Sequence, residues 1–78
     1  MTELLLVFST FGSEEDAARV VRRLVEERLI ACANLIPAAR SIYRWKDGIA
    51  DERETVALMK TRKQDWAALM SRLHELHA

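Results

Sequence analysis

Few side chains in this sequence are of a type that does chemistry near neutral pH, and their spacing limits what they can do. Cys32 is the only cysteine. Its thiolate would be a soft metal donor, yet no second ligand stands beside it at chelating spacing, and a lone cysteine more often packs as a small buried hydrophobe. His74 and His77 lie three residues apart, which on a helix puts them on one side and can hold Cu(II) or Zn(II) through two imidazoles. Two histidines near a helix C-terminus also suit the dipole when protonated, and for His74 this plainer reading weighs more. No catalytic set emerges. Ser9, Ser13, Ser41 and Ser71 lack a nearby histidine and carboxylate pattern, Gly12 and Gly48 are too few for a phosphate-cradling loop, and no Cys-x-x-Cys occurs. The carboxylates Glu14, Glu15, Asp51, Glu52 and Glu54 read as a helix start and a solvated hairpin tip. A protein without enzymatic activity is expected.

The elements that must position these groups belong to one small domain, residues 1–78. A chain of 78 residues buries only somewhat more than about 60% of the surface its unfolded form exposes. Half of the residues are hydrophobic, more than one small core can hide, which hints at self-association. Twelve lysines and arginines balance twelve aspartates and glutamates, so no overall field favours nucleic acid or an anionic membrane as partner. Trp45 and Trp66 stand apart, without the basic and aromatic interleaving that binds single-stranded nucleic acid. A single cysteine allows no intrachain disulfide and fits a reducing compartment. The apolar run at residues 4–8 follows Glu3 and is too short for a signal peptide or a membrane span. A cytoplasmic location is the expectation.

Leu4-Leu5-Leu6-Val7-Phe8, ended by Ser9, Thr10 and Gly12, has the pattern of a strand buried on both faces. Ser13 before Glu14, Glu15 and Asp16 predicts an N-capped helix with an acidic first turn, and Ala17, Val20, Val21, Leu24 and Val25 form its apolar face. Residues 31–46 show no helical period and end near Asp47-Gly48, a hairpin signal, which predicts one long bent strand with Pro37 at a bulge or edge. At about 3.3 Å per residue this strand would reach roughly 50 Å, whereas a domain of this size has a radius of gyration of about 12 Å. It overshoots its own body. Residues 52–61 supply the return strand, with 51–54 at the projecting tip and Val56, Ala57, Leu58 and Met59 apolar on both faces. Thr61 and Gln64 read as a capping box before a second helix whose face is Trp66, Leu69, Met70, Leu73 and Leu76 or His77. The order strand, helix, strand, strand, helix is α+β and matches five sixths of a ferredoxin-like βαββα(β) fold with a long projecting hairpin. The missing sixth element would leave residues 4–8 as a bare edge. Residues beyond 78 are the expected cover, and another chain or segment is the alternative.

Several blocks, Leu24-Val25-Glu26-Glu27-Arg28-Leu29-Ile30-Ala31-Cys32-Ala33-Asn34-Leu35-Ile36-Pro37, Ser41-Ile42-Tyr43-Arg44-Trp45, Met59-Lys60-Thr61 and Glu75-Leu76-His77, stand in an order that resembles the CutA family. The resemblance implies a ferredoxin-like fold, a homotrimer joined through long hairpins, and a link to divalent-cation tolerance, copper above all. It also implies that Tyr43, Arg44 and Trp45 lie in the trimer interface. Family members continue past the last block into a Pro-Tyr-containing strand, a helix and a tail, and Ala78 stands where that proline would be. Where a copper site has been proposed in the family, a thiol at the end of the first strand joins two adjacent histidines at the end of the second helix. The corresponding places here hold Ser9, Leu76 and His77, so one ligand of three is kept and a copper site of that kind should be weak or absent. His77 and Cys32 are the candidate ligands for copper or another divalent cation. Two other readings stand beside this one: a small-molecule sensor resembling the PII signalling proteins, with ligand in clefts between subunits, and a purely structural trimerisation module.

Overall fold

The computed structural model describes residues 3–77. Ala78, where the sequence comparison put a missing proline, lies outside them. The chain runs β1 (Leu4–Phe11), α1 (Glu14–Glu26), β2 (Cys32–Trp45), β3 (Gly48–Arg62), a single 3-10 turn at Lys63–Asp65, and α2 (Trp66–Leu76). The three strands form one antiparallel sheet in the order β1-β3-β2, an α+β arrangement with ferredoxin-like topology.

Ser13 caps α1 as predicted, its hydroxyl accepting from the Asp16 amide at 3.1 Å. The other end of α1 closes in a Schellman pattern: the Leu29 amide donates to the Leu24 carbonyl and the Arg28 amide to the Val25 carbonyl, both at 3.0 Å. That pattern requires a left-handed residue, and Arg28 fills the place at φ 61. Ala17, Val20 and Leu24 of α1 are fully buried with Phe11, Ile30, Ala57, Met59 and Leu69. Val25 is a correction to the expected apolar face: it is 41% exposed, one step round the helix from the sheet.

Alternation along the strands divides the sheet. Phe11, Thr55, Ala57, Met59 and Thr61 point toward the helices and are buried. The opposite face carries Leu4, Leu6 and Phe8 beside Arg62, Lys60 and Leu58 of β3. The expectation that residues 4–8 are buried on both faces therefore fails, because both helices lie on one side of the sheet. β1 is also an edge strand among the described residues, paired only with β3.

The expected capping box at Thr61 and Gln64 is likewise corrected. Thr61 belongs to β3, where its hydroxyl donates to the Leu29 carbonyl at 2.7 Å, and α2 begins only after the 3-10 turn, with no side-chain cap on Asp65. The Thr61 hydroxyl serves a long-range carbonyl instead of the local cap. The two helices are joined by Arg72, whose Nε and Nη2 reach the two oxygens of Glu27 at 2.8 Å each, while Arg23 Nε donates to Glu27 at 2.9 Å. Arg72 holds the Glu27 carboxyl below its ordinary range against a smaller opposing effect of burial, and Arg23 adds to the lowering.

Candidate functional site

The long hairpin is present as the sequence predicts. β3 has β1 on one side and β2 on the other only from Thr55 onward; residues 39–45 and 48–54 pair with each other alone. At the junction, Ile36 opposes Val56 and Ala39 opposes Glu54, so Pro37 and Ala38 face the single Thr55. This is a β-bulge at the predicted proline, with Ala38 at φ 59. Beyond it the two-stranded arm leaves the body, and the molecule measures 43 × 23 × 21 Å along its principal axes. The loop at its tip is Lys46-Asp47 rather than Asp47-Gly48: Gly48 pairs with Trp45, and Lys46 takes the positive φ of 54°. Asp51, Glu52, Arg53 and Glu54 line the root of the arm, not its tip; Arg40 meets Asp51 there through two bonds, of 2.8 and 2.6 Å.

Tyr43, Arg44 and Trp45 sit near the end of the arm. Tyr43 and Trp45 share a face, edge to face with ring centroids 6.4 Å apart, and the Tyr43 hydroxyl lies 3.4 Å from Glu52. Partial burial raises the Tyr43 hydroxyl above its ordinary pKa, and the charge of Glu52 adds to this. Arg44 points to the other side, with Ile42 and Ile49. Trp45, Ile42 and Ile49 are all 60% or more exposed, a heavy apolar load for a solvated hairpin. On the body, Leu4, Leu6 and Phe8 are 66–69% exposed and continue through Leu58, Val56 and Ile36 across the uncovered sheet face. The sequence reading missed this face and the two arm isoleucines. Their signal was present as every second residue of a run that looked uniformly buried.

The candidate metal donors are not brought together. Cys32 is exposed at the start of β2, opposite Lys60, which in turn opposes Leu6. His77 follows α2 and places Nε2 3.0 Å from the Thr10 carbonyl oxygen, with its ring 4.2 Å from that of Phe11. A carbonyl only accepts, so Nε2 carries the proton and only Nδ1 offers a lone pair. From Leu6 to Thr10 is about 13 Å along the strand at about 3.3 Å per residue, far beyond a bond of about 2 Å to one metal ion. Among the described residues, no group of three or more His, Cys, Asp or Glu side chains could hold a metal ion. One chain therefore does not fit a copper centre built on both candidates. Ser9 and His77 do line one recess, together with His74, Met70 and Leu73. No helix of the described residues is long and apolar enough to cross a membrane.

A three-stranded ferredoxin-like sheet with helices on one face, a bare apolar face on the other and a projecting arm defines a class of small α+β proteins. The chain belongs to the CutA1 divalent ion tolerance protein family, whose model matches residues 5–78. It is 43% identical over 74 residues to the divalent-cation tolerance protein CutA of Pyrococcus horikoshii, covering 95% of this chain and 72% of that one. With its Thermus thermophilus counterpart the identity is 40% over 77 residues, covering 99% and 73%. Among solved structures, CutA1 of Ehrlichia chaffeensis superposes with a TM-score of 0.91 at 31% identity, over 99% of this chain and 72% of that one. CutA of Xylella fastidiosa gives 0.92 at 38% identity, over 97% and 73%.

Proposed function

We propose that this protein serves divalent-cation tolerance as a non-enzymatic cytoplasmic homotrimer, with copper as the cation. The carrying observation is the bare sheet face, on which Leu4, Leu6 and Phe8 stand two-thirds exposed beside an arm that ends in Trp45 and Ile49. Apolar surface of this extent in so small a chain is stabilised by burial between copies, and the arm, with its free edges, gains partners in the same assembly. Tyr43, Arg44 and Trp45 contribute to that interface. Membership of a divalent ion tolerance family supplies the metal part of the reading.

Cys32 belongs to the same bare face, so association multiplies thiols where a single chain offers one. A thiolate is a soft donor that suits Cu(I), as it does zinc, and Nδ1 of His77 is a separate imidazole donor. Native mass spectrometry of the purified chain tests the assembly, with three copies expected at micromolar concentration and a single copy refuting it. Calorimetric titration of copper into wild type, Cys32→Ala and His77→Ala tests the ligands. Weaker binding in the variants is expected, and equal binding by all three removes both residues from the site.

A further inference from the structure

Where the chain turns from α1 into β2, at one end of the sheet, it leaves a recess of about 460 Å³. Leu4, Val25, Leu29 and Ile30 give this recess an apolar bed. Arg28, Lys60 and Arg62 line it as well, and Asp65 is the one carboxylate among the lining residues. Asp65 is already engaged, accepting from Arg62 Nε at 3.0 Å. Among the described residues, Arg28 and Lys60 form no ion pair. Leu4, Lys60 and Arg62 continue the bare face, whereas Val25, Arg28 and Leu29 belong to the end of α1 and the turn after it. Two bonds hold these walls together: the Ala31 amide donates to the Lys60 carbonyl at 2.8 Å, and the Thr61 hydroxyl to the Leu29 carbonyl at 2.7 Å. The recess is therefore formed before any ligand arrives.

We propose that this recess binds a small organic carboxylate, with its apolar body on Leu4, Val25 and Leu29 and its head between Arg28 and Lys60. Backbone strain at Arg28 points to it. The left-handed residue that closes a Schellman pattern is usually glycine, sometimes asparagine, yet here an arginine takes φ 61. Among the described residues its side chain returns neither an ion pair nor a hydrogen bond to the fold. Strain of this kind gathers at residues that serve a site, and stability given up at such a residue is the usual cost of function. The cavity that Arg28 lines is that site. Its lining selects the ligand. A guanidinium fork matches a carboxylate in one plane, and an ammonium adds a point charge beside it. Two free cations suit one such head, whereas a polyphosphate would keep most of its charge unpaired. A sugar-like body would lose its hydration on the aliphatic bed without bonds to replace it. One chain supplies every wall named, so each copy carries the site whatever their number.

The test titrates the chain with naphthylacetate, and with naphthylacetamide as its uncharged counterpart, following the backbone amide resonances by NMR. Saturable shifts are expected at residues 28–31 and 60–62. Binding should weaken at least about tenfold for the acetamide, and for the acetate in Arg28→Gly and in Lys60→Gln. Melting curves check that both variants are folded. Arg28→Gly is the sharper of the two, since it should melt above wild type and so lose the ligand without losing the fold. Unaltered binding by either folded variant overturns the proposal, because the head is then held elsewhere. Equal binding of the acetamide overturns it too, since charge is then not recognised. Shifts confined to Leu4, Leu6, Phe8 and Leu58 would put the probe on the bare face, and no saturable shift up to about 1 mM would leave the recess without affinity for an apolar carboxylate; either result overturns the proposal.

Discussion

Replacing Phe8 with glutamate tests whether the bare face is an interface. Phe8 is 69% exposed in one chain, and complete burial of such a side chain is worth about 1.5–3 kcal/mol. Covering the exposed two-thirds would therefore contribute about 1–2 kcal/mol per copy, or about 3–6 kcal/mol over three copies. Placing a carboxylate in the same position adds a desolvation cost. At about 1.4 kcal/mol per factor of ten, the association constant for the trimer falls by at least roughly two to four powers of ten. The fold of the single chain should survive, since the ring faces away from the helices and outside the buried core. Sedimentation velocity across the micromolar range is the assay, with circular dichroism as control. Wild type is expected to sediment as three copies and Phe8→Glu as one, with unchanged dichroism. A folded Phe8→Glu chain that assembles like wild type would refute the placement of the interface.

Thr61→Val should destabilise the chain by about 1–3 kcal/mol, because it leaves the Leu29 carbonyl without its donor; chemical denaturation measures this, and Thr61→Ser should recover most of the loss. Arg28→Gly should stabilise by about 0.5–1 kcal/mol, the left-handed cost of about 1–2 less the added freedom of glycine when unfolded; a lowered melting temperature would contradict the Schellman assignment. Glu27 has its folded pKa lowered from 4.5, chiefly by Arg72, so its contribution is complete above the unfolded value and is lost as pH falls through the folded one. Melting temperatures of wild type should accordingly drop below about pH 4.5, and Arg72→Gln should flatten that part of the curve; parallel curves would sink this account.

Local signals survived into the structure where one element decided them. Ser13 caps α1 because its partner amide is three residues away, and Pro37 marks the bulge because it brings no donor to the ladder. The overshoot of the hairpin followed from length alone. Failures occurred where a distant element cast the deciding vote. Thr61 could cap a helix or serve a carbonyl 32 residues away, and only the packed chain shows that Leu29 needs it. Five consecutive apolar residues at the start of β1 look alike in sequence, yet Leu5 and Val7 meet the helices while Leu4, Leu6 and Phe8 do not. Such a run cannot say whether its second face is covered by the same chain. The candidate donors were legible as residue types, but their separation was not, since it depends on Cys32 and His77 belonging to different ends of the sheet.

The supernumerary residue opposite Thr55 works as a parity switch. Before it, even-numbered β2 residues share a side with Phe8; after it, odd-numbered ones do, which is how Tyr43 and Trp45 come to lie on that side and Arg44 on the reverse. A chain shortened by Ala38 alone would run from Ile36 through Pro37 to Ala39 in plain alternation and keep the aromatic pair where it is, whereas one residue added to β3 beside Thr55 would offer a sister molecule a guanidinium and an isoleucine in place of that pair.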